Sequence, residues 1–148
     1  KMPAFLNIFI KNAGKNSECR GHVFIENMST INYECLAHHY VSDTGILINT
    51  KLLAHRNTKS KLSGTAIIEP NCEHTVSDVG FSAMADDGAR IEFLPCQKIA
   101  SVPDSAQHSA TIYHATEPQI EYLRQAGLSG AEVDAAMREA FMNDFSLF

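Results

Sequence analysis

The sequence contains no tryptophan, no run of basic residues and no apolar stretch of the roughly 18 to 20 residues that span a bilayer. Lys and Arg number 12 against 17 Asp and Glu, a formal charge of -5, so no positive stripe exists to follow a nucleic-acid backbone. Nucleic acid and membrane are therefore not expected partners. The missing tryptophan, with few tyrosines, also argues against a carbohydrate-active enzyme with stacked aromatic subsites. The start Lys1-Met2-Pro3-Ala4-Phe5 lacks the apolar core and cleavage site of a signal peptide, which predicts a soluble, cytoplasmic protein. A first residue other than methionine suggests that an upstream part is missing or was cleaved. Of the four cysteines, Cys19, Cys35, Cys72 and Cys96, none forms a Cys-x-x-Cys pair, which disfavours a zinc ribbon or a thioredoxin-type site. Reduced thiols are expected. No Gly-x-Gly-x-x-Gly, Walker A, Gly-x-Ser-x-Gly or His-Glu-x-x-His sequence occurs, so no enzyme activity is expected.

What is present is a 148-residue chain, 45% hydrophobic and 20% charged, which suits a single globular unit. Up to about Ala115 it reads as short β-prone runs: residues 7–10, 22–25, 33–41, 45–53, 65–68, 90–93 and 110–113, punctuated by Gly, Asn, Ser and Asp. A glycine opens four runs, at Gly21, Gly45, Gly64 and Gly88, with offsets of 24, 19 and 24 residues. Strand-and-turn repeats of that size suit a β-solenoid whose coils restart at one corner, where glycine accommodates positive φ. An antiparallel sandwich fits the same spacing, and Asp87-Gly88 is a hairpin signal. The β region is assigned to residues 1–115 and a helical hairpin to 116–148.

The helical reading is local. Thr116-Glu117-Pro118-Gln119 is a capping box with Pro in the first turn, and its helix closes at Gly127. Ser129-Gly130-Ala131-Glu132 is a second capping box, followed by Val133, Met137, Ala140, Phe141 and Phe145 on one helical face. Tyr122, Leu123, Leu128, Val133, Met137 and Phe141, with Phe145, Leu147 and Phe148, offer more apolar surface than one small hairpin buries by itself. The hairpin is then either a lid on the open end of the β core or a docking element for another protein.

Four blocks, in this order and spacing, resemble a known family. They are His55-Arg56-Asn57-Thr58-Lys59-Ser60, Gly64-Thr65-Ala66-Ile67-Ile68-Glu69-Pro70, Gln107-His108-Ser109-Ala110-Thr111 and Tyr122-Leu123-Arg124-Gln125-Ala126-Gly127-Leu128. Over about residues 53–145 the chain resembles the C-terminal half of the SufB/SufD family of the SUF iron–sulfur cluster assembly pathway. That resemblance implies a mainly β fold, a parallel β-helix with C-terminal helices. It also implies β-helices that pair edge to edge, as a homodimer or with a SufB-like subunit, and helices that dock an ABC-type ATPase, SufC. Where SufB carries a cysteine, this chain reads Val79-Gly80-Phe81, whereas a SufD interface histidine matches His108 and the neighbouring SufB glutamate corresponds to Ser109. The chain is in these respects more SufD-like, and short for the family.

Nascent iron–sulfur clusters need thiolates, with imidazole or carboxylate as occasional substitutes. Cys96, after Pro95, is the best thiol, and a solenoid could bring it beside His108 on adjacent coils; its alternative is a small buried apolar side chain. Cys72 and His74 lie two apart, one face of a strand, although the segment after Glu69-Pro70-Asn71 also reads as a turn. His38 and His39 fall on opposite faces, Cys35 reads as core, and the 55–60 segment as a solenoid corner. Asp86-Asp87 reads as a solvated turn. The expectation is a scaffold that carries an iron–sulfur cluster transiently, binds no permanent cofactor and leaves ATP hydrolysis to a partner. The alternatives are a metal-free β-solenoid interaction module and, less favoured, a β-helix carbohydrate-active enzyme.

Overall fold

Alternating residues such as Tyr33, Cys35 and Ala37 can bury one side only if a second sheet faces them. A computed structural model supplies that arrangement for residues 2–143, the part of the chain it describes. Eight strands, β1 (Ala4–Asn12), β2 (Ser17–Asn27), β3 (Thr30–His39), β4 (Thr44–Ala54), β5 (Lys59–Ile68), β6 (Val76–Ala85), β7 (Arg90–Ile99) and β8 (Ser105–Tyr113), precede two helices, α1 (Glu117–Gln125) and α2 (Gly130–Asn143). Odd strands form one sheet in the order β1-β3-β5-β7, even strands the other in the order β2-β4-β6-β8, and every pairing is parallel. Each consecutive pair of strands is one coil of a parallel β-helix with four coils, numbered here from the N-terminus. The sandwich is excluded, and Asp87-Gly88 is no hairpin, because β6 and β7 lie in different sheets.

The repeat differs from the one the glycines suggest. In the odd sheet Ala4 pairs with Ile31, Ile31 with Ser60 and Ser60 with Ile91, offsets of 27, 29 and 31 residues. Gly21, Gly45 and Gly64 lie inside strands, and Gly88, at φ 76°, is the one of the four at a corner. Corners are turned mainly by Asn and Asp, which tolerate left-handed backbone through local side-chain hydrogen bonds. Asn16, Asp43 and His74, at φ 56°, 58° and 53°, stack in register at one corner, and Asn57, at 61°, stacks under Gly88 at the other.

The interior holds an axial aromatic row. Tyr33 meets Phe81 edge-on at 6.2 Å between ring centroids, and Phe81 stacks on Phe93 at 5.6 Å. The Tyr33 hydroxyl is not wasted in the core, since Thr50 Oγ1 donates to it at 3.1 Å. Gly64 is the space that admits Phe81: a Cβ there would lie 2.7 Å from the ring. Polar corner side chains complete the turns. Asn12 Nδ2 donates to the carbonyls of Ser17 and Gly45, and Asn27 Nδ2 to that of Lys59.

Candidate functional site

The last coil positions the two residues with the strongest chemistry. Among the described residues, β7 and β8 each have a hydrogen-bonded neighbour on one side only, so both sheets end there in open edges. In-register pairing carries the inward positions Leu62, Gly64 and Ala66 onto Phe93, Pro95 and Gln97, which puts Cys96, opposite Thr65, on the outer face. Its thiol is exposed. His108 pairs with the buried Val79 and so points inward, between the sheets. Both residues border one open depression with Pro95, Gln97, Ala106 and Gln107. They share an edge and not a face.

Burial pushes the His108 pKa down, and the Asp78 carboxylate one strand away opposes that shift. Asp78 is itself pushed up by burial. Among the described residues, His108 Nε2 has no hydrogen-bond partner, although the atom is buried. A neutral imidazole keeps one lone pair, so this ring can accept a proton or a metal. Among the described residues, no three His, Cys, Asp or Glu side chains converge to hold a metal ion.

Cys72 and His74 are separated by the turn that carries them. The Cys72 thiol points inward to the His39 carbonyl at 3.7 Å, while His74 faces outward, 3.3 Å from Asp104. His38 and His39 take opposite faces, as their adjacency requires. His38 Nε2 meets Glu69 at 2.6 Å, and the fully buried His39 holds Thr44 Oγ1 at 2.8 Å through Nδ1, leaving Nε2 unpaired. Cys35 is core.

The hairpin forms where its caps predict. Thr116 N–H and hydroxyl both reach Gln119 Oε1, and Ser129 makes the equivalent pair to Glu132 Oε2 at 2.8 and 2.7 Å, which lowers the Glu132 pKa. Gly127, at φ 94°, ends α1, and the amide of Leu128 bonds back to the Leu123 carbonyl. The apolar face divides. Val133 and Phe141 are buried on the chain itself, Leu123, Leu128 and Met137 are half-buried, and Tyr122 is 71% exposed. Phe145, Leu147 and Phe148 lie outside the described residues. Two anchors escaped the sequence reading. Lys51 Nζ donates to the Phe141 carbonyl at 2.6 Å and lies 5.2 Å from its ring, and Arg138 donates to Asp86 at 2.8 Å. The signal for Lys51 was a lone charge inside the apolar run 45–53, on a strand that the hairpin covers.

A β-helix with open terminal edges and a C-terminal hairpin is what the four sequence blocks imply, and the family comparison agrees. Residues 4–141 match the family model described as SUF system FeS cluster assembly, SufBD core domain. The chain belongs to the SufB/SufD family. No curated protein matches it. The matched span runs from the first strand to Phe141 in α2, so this SufBD chain carries both the β-helix and the hairpin within the family region. A role in SUF iron–sulfur cluster assembly, among partners of that system, follows. No helix among the described residues is long and apolar enough to cross a membrane.

The buried histidines make this SufBD chain sensitive to acid. Desolvation lowers the pKa of both His39 and His108, whereas an unfolded chain protonates histidine near about 6.5. Below that pH the unfolded state binds more protons than the folded one, so stability falls with pH until the folded-state values are passed. Above about pH 8 neither ring contributes to the slope. Urea midpoints measured between about pH 8 and 5 are expected to drop on the acid side. His39→Gln is expected to flatten that drop, and an equal slope in the variant would remove His39 as its source.

Proposed function

We propose that this SufBD-family chain is a scaffold subunit of the cytoplasmic SUF pathway. It pairs through the free edges of coil 4 and docks a SufC-type ABC ATPase on its hairpin. The single observation that carries the reading is the side-by-side placement of two unpaired strand edges, β7 and β8, at the end of the β-helix that holds Cys96 and His108. Unpaired N–H and C=O rows favour pairing with another chain, identical or SufB-like. Such pairing would place two copies of that edge together and supply ligands that one chain lacks. The cluster is then cargo, held transiently, with Cys96 as thiolate donor and His108 as imidazole donor. The hairpin offers Tyr122 with the half-buried Leu123, Leu128 and Met137, while Val133 and Phe141 hold it to the core. Cys72 and His74 remain secondary candidates, separated by their turn. ATP hydrolysis is the partner's work.

One observation favours a second reading, a metal-free interaction module: within one chain the thiol of Cys96 and the ring of His108 face opposite sides of the coil. Co-purification of the full chain with a SufC-type ATPase, followed by iron–sulfide reconstitution and visible absorption, separates the two. The scaffold reading expects ATPase binding that Tyr122→Ala weakens, and absorbance that falls in Cys96→Ala and in His108→Ala. Binding without any absorbance leaves the metal-free module. Neither binding nor absorbance sinks both roles.

A further inference from the structure

A line of polar contacts runs from the hairpin across three coils, and neither the family match nor the docking reading assigns it a role. Arg138, on α2, donates to Asp86 Oδ1 at 2.8 Å. The other oxygen of Asp86 lies 3.4 Å from His55 Nδ1, and His55 Nε2 lies 2.7 Å from Glu26 Oε1. Asp86 follows β6 in coil 3, His55 follows β4 in coil 2, and Glu26 belongs to β2 in coil 1. The Asp86–His55 and His55–Glu26 links therefore each step by one coil. The central members are shielded, with side chains 23% exposed for Asp86 and 19% for His55, so their mutual contact is less screened than an ordinary surface pair, whereas Glu26 at the far end is 50% exposed.

The packing around this line is loose on one side and tight on the other. A cavity of about 420 Å³ separates the hairpin from the corner at Asp86, with Arg56, His114 and Asp134 also on its wall. No residue of α1 is buried. α1 is thus loosely packed, while Val133 of α2, on the wall of the same cavity, is buried, and the Arg138–Asp86 contact adds a polar tie to the β-helix. At the far end, Glu26 adjoins Asn27, whose side chain accepts from the Ser29 amide and donates to the Lys59 carbonyl and to Ser60. That asparagine closes the corner between β2 and β3.

We propose that Arg138, Asp86, His55 and Glu26 form a coupling relay, through which a partner seated on the hairpin alters the corner of coil 1, where the β-helix begins. His55 is a positioning residue here: with both ring nitrogens facing carboxylate oxygens, it ties the corner of coil 3 to that of coil 1. Coupling of this kind is reciprocal, so whatever binds at coil 1 changes the hairpin's affinity for its partner by the same factor. The inference rests on the docking reading only for the identity of the partner.

Hydrogen exchange of the full chain tests it in two arms. In the isolated chain, Arg138→Gln is expected to speed exchange of the amides at 26–30 about threefold or more, with the amides of 61–68 in β5 unchanged and Arg138→Lys restoring the original rates. Unchanged exchange at 26–30 in Arg138→Gln, or equal loss of protection across 61–68, would overturn the relay whatever the partner does. With a SufC-type ATPase added, protection at 26–30 is expected to change in the wild type and to stop changing in His55→Gln, while the helices still respond. A response at 26–30 that persists in His55→Gln overturns the relay but leaves docking intact. Failure of the ATPase to bind the wild type overturns docking, and the first arm then decides the relay.

Discussion

Phe81→Ala is expected to lower the stability of the fold by about 3–5 kcal/mol, a large part of the roughly 5–15 kcal/mol available to a domain. Phe81 is 1% exposed and touches the aromatic rings of both neighbouring coils, Tyr33 behind it and Phe93 ahead. Its loss removes the transfer free energy of a phenyl ring and leaves a cavity that two fixed sheets cannot collapse to fill. The urea midpoint should fall by more than about 1 M, with the slope unchanged if the variant still unfolds as one unit. Gly64 supplies an internal control. Gly64→Ala alone places a methyl group against the ring and should cost about 1–3 kcal/mol by overpacking. Combined with Phe81→Ala, the same methyl group loses its clash with the ring and keeps only that with Val79 Cγ1 at 2.9 Å, so the double variant should lose less than the sum of the single losses. Additive losses would show that Gly64 is not there to admit the ring.

The same pair of residues shows why the sequence was only partly legible. Phe81 sits in β6, whose stretch Val76–Ala85 reads Val-Ser-Asp-Val-Gly-Phe-Ser-Ala-Met-Ala and carries little strand propensity. It is a strand because β4 and β8 pair with it on both sides and Val79, Phe81 and Ala83 fill the interior. That is a tertiary cause, invisible to local pattern. The glycine spacing misled for a related reason: Gly64 is fixed by a ring on the opposite sheet, whereas the corners are fixed by Asn16, Asp43 and Asn57. The helices were legible because their causes are local. Thr116 with Gln119, Ser129 with Glu132, and Gly127 each act within a turn of where they stand.

The candidate site followed the same division. A place side by side on adjacent coils is what the sequence suggests for Cys96 and His108, whereas they lie on β7 and β8 of one coil and take opposite faces; both facts depend on a register known only once the coil length is known. Asp86 was read as half of a solvated acidic pair. Asp87 is indeed 95% exposed, but Asp86 is partly shielded, 23% exposed, and held by Arg138 of the hairpin and by His55. Adjacent carboxylates with different duties are not distinguishable from two letters.

Lys51→Met is expected to loosen the hairpin while leaving the β-helix folded. Lys51 is 2% exposed, an unusual place for an ammonium group, and it lies on the outer face of β4 under the end of α2. Its charge meets the Phe141 carbonyl, one of the last four of a helix that lack an internal partner, so it answers both the unpaired oxygen and the negative end of the helix dipole. The Phe141 ring, 5.5 Å from Tyr113, closes over the same ammonium. Methionine keeps most of the stem's volume and removes the charge, so the core below should tolerate it. A hydrogen bond from a charged group contributes about 1.5–3 kcal/mol, which predicts roughly 10- to 100-fold faster exchange of the last-turn amides of α2. Far-UV circular dichroism should retain the strand signal, and the main urea transition should stay in place. If Lys51→Met unfolds the β-helix as a whole, the lysine is part of the core's integrity and not the clasp of the hairpin. If α2 exchange is unchanged, Val133 and the Arg138–Asp86 contact hold the hairpin without it.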